Sequence, residues 1–493
     1  MRNLLITDSC KALSLKIFHR GLIGMISLLV LSSCQKDLVE HPKSIAVETF
    51  YNTAKEVESA VDAIYPPLRS TNINGSYISE LAPYVDYGYA RGSFTPLNDF
   101  AGLDPTHISR TDQGWTSFYL SIRNANLVIL NAPKGNDISK EDIDKYVAEA
   151  KFLRAFDYFH LVRSWGGVPL RTEANITEAN VKRSPVDSVY NLIIEDLKDA
   201  ETNLPDKPAI LGRPTKWSAK TVLADVYLQV GKYAEAASKA EEVIASNKYS
   251  LVPISSTDDL QKIFGAHAGV TSEEIFYIEF MGQNGYSNIW PMYLNHPGTH
   301  FLASGGYFGF YTDSTNAVYK NWDNNDLRKG LWYFWDFGLG KSTLLNKKFI
   351  DPTTVSNAGN PTTWYRYADL LLIYAEAACR ANNGPTADAI EALNQVHRRA
   401  YGKNPKLPSD VDFKLADYDE NSFIDLVIKE YGYEFQYEGK RWLELKRTGK
   451  AQEIIQATKG KTIAQKCYLF PIPATELSLN KALDPVKDQN PGY

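Results

Sequence analysis

Cysteine is scarce: the 493 residues hold four, too few for a scaffold built on disulfides. An excess of positive charge is missing as well. Lys and Arg number 53 against 58 Asp and Glu, a net charge of −5, so the chain lacks what neutralising nucleic-acid phosphates requires, and no nucleic-acid partner is expected. The apolar run Leu22–Leu31 falls short of the ~20 residues that span a bilayer. The sequence has no phosphate-binding glycine loop, no nucleophile elbow, no zinc-protease motif and no paired cysteines, which removes the usual signatures of those chemistries. His296 and His300 are four apart, but Pro297-Gly298 breaks the helix that a His-x₃-His metal face needs. Asp417-Tyr418-Asp419-Glu420-Asn421 opens like a calcium loop without the glycine and glutamate that complete one. No metal and no cofactor are expected.

The remaining composition is that of a globular chain with a large core, 44% hydrophobic and 23% charged. Aromatic residues stand out: Tyr 30, Phe 21 and Trp 9, together 12% of the chain. Tyrosine leads that group, and it suits surfaces that are part apolar and part wet.

The N-terminus is composed differently. Arg2, Lys11, Lys16 and Arg20 precede the apolar run, and Leu31-Ser32-Ser33-Cys34 follows it. A basic segment, a short apolar stretch and small residues read as a secretory signal. The cysteine that follows makes the ending resemble a bacterial lipobox, with residues 1–33 removed and Cys34 acylated as the lipid anchor. Acyl chains on one cysteine hold a soluble body on a membrane. Without the leader the net charge becomes −8. Gln35-Lys36-Asp37 resembles the charged signal that sends some Bacteroidetes lipoproteins to the cell surface. Cys379 and Cys467 then read as buried small apolar residues.

Helical spacing dominates much of the body. Phe152, Ala155, Phe156 and Phe159 share one face, as do Ala219, Val222, Leu223, Val226 and Val230. Gly231 separates the latter from Tyr233, Ala236, Ala237, Ala240 and Ile244, and Gly384-Pro385 separates the face Leu370–Ala381 from Ala389–Ala400. These hairpins approach the tetratricopeptide length, with small residues where paired helices meet. The expected fold is mainly α: tetratricopeptide-like helical pairs, over about 45–65, 113–248 and 366–450, framing an irregular, loop-rich ligand-binding region. Trp115, Trp165 and Trp217 are read as part of that frame. Glu430, Glu434 and Glu438 line one helix face and are read as solvated or ion-paired.

Two segments, about 66–112 and 250–365, carry little helical period and much Gly, Asn, Ser, Thr and aromatic residue. Long irregular segments in a compact protein are usually functional. One holds Tyr84, Tyr87, Tyr89, Arg91, Phe94, Asn98 and Asp99. The other holds Tyr286, Trp290, Tyr293, Tyr307, Phe308, Phe310, Tyr311, Trp322, Trp332, Tyr333, Phe334 and Trp335, among Asn284, Asn288, Asn295, Asp323 and Asn324. Such rings either pack a core or offer a flat face to the C–H side of a sugar, with amides and charges for its hydroxyls. Tyr87, Tyr89, Arg91, Trp290 and Trp322 have polar or glycine neighbours rather than helical spacing. With Asp99 they are the candidate ligand-binding set.

Several blocks, in order along the body, resemble the SusD/RagB family of surface nutrient-binding lipoproteins. They are Ala148-Glu149-Ala150-Lys151-Phe152-Leu153-Arg154-Ala155 running to Trp165-Gly166-Gly167-Val168-Pro169; Gly212-Arg213-Pro214-Thr215; Arg366-Tyr367-Ala368-Asp369 through Ala377; Glu434-Phe435 with Glu438-Gly439 and Arg441; Phe470-Pro471-Ile472-Pro473; and the closing Asn490-Pro491-Gly492-Tyr493. Tyr431 and His397 depart from the family's arginine pattern, both within the frame. The resemblance implies one body over 34–493 built around four tetratricopeptide-like pairs. It implies an outer-membrane location, lipid-anchored and facing outward. The protein would bind an oligo- or polysaccharide and deliver it to a SusC-like TonB-dependent transporter, without being an enzyme. A peptide ligand is the alternative within the family. A surface glycosidase is the alternative outside it, because one sequence leaves open a catalytic carboxylate pair.

Overall fold

The computed structural model describes residues 50–266, 271–283 and 285–493. The leader, Cys34 and Asn284 lie outside the described residues.

Helices form the frame: α1 (Ala54–Asp62), α2 (Pro105–Asn131), α3 (Lys140–Trp165), α4 (Val186–Asn203), α5 (Lys216–Gln229), α6 (Tyr233–Ala245), α7 (Tyr367–Ala381), α8 (Ala387–Ala400), α9 (Glu420–Glu434), α10 (Arg441–Arg447) and α11 (Ala451–Lys459). From α2 to α8 each packs on the next, and α7 also touches α9. This is the serial stacking that paired amphipathic helices of this length adopt. The fold is mainly α.

Local chemistry sets the ends. α2 begins at Pro105, inside the segment read as irregular, because Asp104 accepts the N–H groups of Thr106 and His107 at 2.9 and 3.0 Å and proline suits the first helical position. Ser139 caps α3 through the Asp142 N–H at 3.1 Å. Gly231, at φ +75°, makes the left-handed turn between α5 and α6 that a side chain resists. From Ala148 to Trp165, α3 is buried on nearly every side, the mark of a helix at the centre of a core. Cys379 and Cys467 are buried free thiols.

The chain leaves the frame after α6 and returns at α7, which packs on α6. The two ends of this insertion pair antiparallel as β2 (Glu274–Ile278) and β6 (Thr362–Arg366), with Tyr277 opposite Thr363. Phe276 lies 4.9 and 5.2 Å from the rings of Phe152 and Phe156, and Trp364 lies 5.2 Å from Phe156. The apolar face read for α3 therefore seats the neck of the insertion.

Beyond that neck a second sheet has the order β1 (Tyr89–Ala90), β3 (Phe310–Asp313), β5 (Thr343–Asn346), β4 (Trp332–Phe334). Its first strand comes from the earlier loop segment and the rest from the insertion. Tyr89 stands opposite Tyr311, and Thr312 opposite Leu344. Residues 51–493 cluster as one unit.

Candidate functional site

Alternation along β3 puts Phe310 and Thr312 inside and leaves Tyr311 and Asp313 half-buried on the outer face. Tyr89, its cross-strand neighbour, lies 5.7 Å from the Tyr311 ring. From this pair a run of partly exposed rings extends across the insertion. Tyr311 meets Phe337 at 5.8 Å, Phe337 meets Phe308 at 5.3 Å, Phe308 meets His296 at 4.4 Å, and His296 meets Trp335 at 5.3 Å. Tyr307, 52% exposed, sits beside it, 5.6 Å from Tyr293. Phe334, on β4 at the far edge of the sheet, is 59% exposed.

Arg91 lies within this run. Its backbone N–H bonds the Gly309 carbonyl at 2.9 Å, extending the β1–β3 ladder. Its guanidinium carbon is 3.9 Å from the centre of Phe308 and 5.3 Å from that of Phe337, within cation–π reach of both. Phe308 has φ +39°, a strained conformation for a bulky residue. It is fixed by N–H bonds to the carbonyls of Met292 and Asn295 at 3.3 and 3.2 Å. The preceding loop needs glycine, because a Cβ on Gly306 would stand 1.9 Å from the Asn295 oxygen. Strain of this kind collects at ligand sites.

The stretch that carries Arg91 is tethered from below. His107 Nδ1 lies 2.9 Å from Glu80 Oε2, and Nε2 lies 3.0 Å from the Ser93 carbonyl. Arg110 donates to Ser93 Oγ at 3.0 Å, and its guanidinium lies 4.1 Å from the Phe94 ring centre. On the far side Lys459, on α11, sits 4.8 Å from the Tyr89 ring and donates to the Gly88 carbonyl. Burial draws the Lys459 ammonium down to about 7.

Three expected ligand residues are instead supports, and these expectations are corrected. Tyr87 and Trp290 are 3% and 4% exposed. The Tyr87 hydroxyl accepts the Tyr437 N–H at 2.9 Å, and the Trp290 indole donates to the Tyr437 carbonyl at 2.8 Å. Trp322, 3% exposed, stacks on Tyr433 at 4.0 Å and donates to Asp326 at 2.8 Å. Each ring has both its apolar area and its polar tip taken up by protein, leaving no face for a sugar. Tyr89 and Arg91 do lie together on the outer surface. Asp99 is exposed and pairs with Lys461 at 2.8 Å. Phe337 and His296 were missed as ring partners; an aromatic beside Asp336 and Gly338 was the available signal.

The carboxylates of α9 are not solvated. Glu430 and Glu434 are buried, and just beyond the helix the Glu438 side chain is 4% exposed. Arg328 reaches Asp326, Glu430 and Glu434 at 2.6, 2.6 and 3.0 Å. Arg366 reaches Glu434 at 2.5 Å and Glu438 at 2.9 Å. Arg399 pairs with Glu273 at 2.7 Å and also with Glu434, and Lys348 pairs with Glu438 at 2.6 Å. Burial alone would raise Glu430; Arg328 and then His397 outweigh it and hold the carboxyl at about 2. Burial lowers Lys348 to about 8, partly offset by Glu438. Because Arg328 and Lys348 belong to the insertion and α9 to the frame, this network moors one to the other.

Comparison with known proteins adds family to geometry. Residues 98–228 match the family described as "Starch-binding associating with outer membrane", and residues 336–493 match the SusD family. The chain belongs to the SusD/RagB family. SusD-like protein P2 of Formosa agariphila is 28% identical over 95% of this chain and 98% of its own. SusD-like protein P38 of the same organism is 28% identical over 93% of this chain and 96% of its own. Among solved structures, a SusD homolog from Bacteroides thetaiotaomicron covers 91% of this chain and 98% of its own at TM-score 0.78 and 24% identity. A laminarin-binding SusD-like protein covers 89% and 99% at TM-score 0.71 and 24% identity. At those identities the structures speak for a shared SusD fold. The matched stretches carry α2–α5 and α7–α11, and the ring run lies on β1 and the insertion.

Proposed function

We propose that this protein is a cell-surface glycan-binding lipoprotein that holds an oligo- or polysaccharide on the ring run around Arg91 and hands it to a SusC-like TonB-dependent transporter. The observation that carries the reading is the set of partly exposed rings from Tyr89 and Tyr311 through Phe337 and Phe308 to Trp335. Flat rings with centres 4.4 to 5.8 Å apart on a surface suit the C–H faces of pyranoses, and the tyrosine hydroxyls of the half-buried Tyr89 and Tyr311 suit their hydroxyl groups. Family membership and the laminarin-binding relative support a sugar rather than a peptide. The lipobox-like Leu31-Ser32-Ser33-Cys34 supports anchoring through Cys34 at the outer membrane, and the family supports the transporter partner.

In this reading the protein binds and does not cleave. Isothermal titration of the purified body with a panel of oligosaccharides and peptides tests it, with a reducing-end assay on the same mixtures. Saturable binding of a glycan without new reducing ends is expected. Binding of peptides alone, or release of reducing ends, overturns it.

A further inference from the structure

We propose that Arg91 reads an anionic substituent on the bound glycan, so that this site takes an acidic polysaccharide whose sugar rings carry carboxylate or sulfate groups. The inference rests on the glycan-binding reading of the ring run and narrows its substrate class.

Arginines in this protein are generally neutralised. Arg154 pairs with Asp196 at 2.8 Å, Arg398 with Asp412 at 2.6 Å, Arg441 with Asp86 at 2.6 Å and Arg447 with Glu376 at 2.5 Å. Arg91 is not. Among the described residues no carboxylate lies within ion-pair distance of it, and its side-chain hydrogen bond is a long one, 3.3 Å, to the Tyr307 carbonyl. The nearby carboxylates are engaged locally. Asp313 accepts from Ser342 at 2.5 Å and from the Thr315 hydroxyl at 2.6 Å, and Asp336 accepts the N–H groups of Gly338 and Gly340 at 2.9 and 3.1 Å.

The guanidinium is nonetheless held in place. Phe308 and Phe337 stack against it, and Phe308 is kept there in a strained backbone conformation. The two rings, 5.3 Å from each other, lie to one side of the fork, and apart from the long bond to the Tyr307 carbonyl its donors have no protein acceptor among the described residues. A fork ordered in advance loses little freedom on binding and matches a carboxylate or sulfate with two parallel bonds. The sugar ring bearing that group would rest on the neighbouring aromatic faces. His296 is the adjacent titratable group. Burial and then the Arg91 charge push it down from its ordinary value, so near neutral pH it offers a hydroxyl partner and leaves Arg91 the single full charge between these rings. The chain as a whole is acidic, −5, which opposes unspecific uptake of polyanions. Selectivity would therefore have to come from a local cation such as this one.

The test is titration of the purified body with length-matched oligosaccharides: oligogalacturonate for the carboxylate, sulfated carrageenan fragments for the sulfate, and laminarin fragments as the neutral set. Acidic ligands of one or both kinds should bind about tenfold or more tighter than neutral ones. That advantage should shrink as NaCl rises from about 50 to about 500 mM. Arg91→Gln should cost about tenfold or more in affinity for the acidic ligand with an unchanged Tm, and Arg91→Lys should keep the salt dependence while losing most of the affinity. Neutral glycans binding as tightly as acidic ones, or Arg91→Gln leaving acidic binding intact, overturns the inference while the ring run remains a glycan site. Binding of no glycan at all overturns that reading and this one with it.

Discussion

The indole N–H of Trp290 donates to the carbonyl oxygen of Tyr437 at 2.8 Å. Tyr437 returns its own N–H to the hydroxyl of Tyr87 at 2.9 Å, so one residue just past α9 ties both loop segments to the frame. Trp290→Phe keeps most of the ring and leaves a buried carbonyl without its donor, a loss of about 1–3 kcal/mol. Trp290→Ala empties a packed site and should cost about 3–5 kcal/mol. Thermal melts read both. Titration of Trp290→Phe should find glycan affinity within about twofold of the parent; a large loss of affinity at unchanged Tm would make the indole a ligand contact after all.

Tyr307 gives the opposite pattern. It is 52% exposed and touches Tyr293 at 5.6 Å, so its ring adds surface rather than core. Tyr307→Ala should move stability by no more than about 0.5 kcal/mol. If the ring stacks on sugar, the loss is about 0.5–1.5 kcal/mol of binding, or about 2- to 12-fold in Kd. Parallel melting and titration of this variant and Trp290→Phe separate surface from support.

The frame was readable because helical spacing is local. Phe152, Phe156 and Phe159 lie on one face in the sequence and on one core seam in the structure, and Gly231 ends a helix in both. The site was only half readable. Tyr89 and Arg91 reach the surface, but the cue that picked them, polar and glycine neighbours, also picked Tyr87, Trp290 and Trp322. What separates these groups is long-range: whether the frame takes up the ring, as Tyr437 does by hydrogen bonds with Tyr87 and Trp290 and Tyr433 does by stacking on Trp322. The burial of Glu430 and Glu434 was hidden for the same reason, since the arginines that neutralise them lie far away in sequence.

His107 makes the loop under Arg91 pH-dependent. Both ring nitrogens face acceptors, Glu80 at 2.9 Å and the Ser93 carbonyl at 3.0 Å, which favours the doubly protonated ring. Burial opposes that charge, but the hydrogen bond and charge of Glu80 prevail and raise His107 above its ordinary 6.5. Burial also raises Glu80. Both shifts mean that the folded pair holds protons the unfolded chain releases, so stability falls as pH rises. The histidine contribution is complete below about pH 6.5 and is lost as pH climbs through the raised value. Tm measured across this interval should decline, and His107→Gln should flatten the decline; an identical slope in the variant removes His107 as its source.

The α9 carboxylates predict the acid limb. Glu430 falls from its ordinary 4.5 to about 2 in the folded protein. A lowered carboxyl contributes stability that is complete above about pH 4.5 and is lost as pH falls toward 2, about 3 kcal/mol for a shift of this size. Glu434, which meets Arg366 at 2.5 Å, Arg328 at 3.0 Å and Arg399 as well, is held down in the same way by those guanidiniums against the cost of burial. Glu434→Ala leaves three buried cations short of a partner and should cost about 3–5 kcal/mol at neutral pH. Arg328 and Lys348 lie on the insertion, so protonation should loosen the insertion from the frame before the helices separate. Pepsin at about pH 2.5, a value between the two carboxyl states, should therefore cut first within 279–361. First cuts inside α2–α5 would mean that the network does not hold the two parts together.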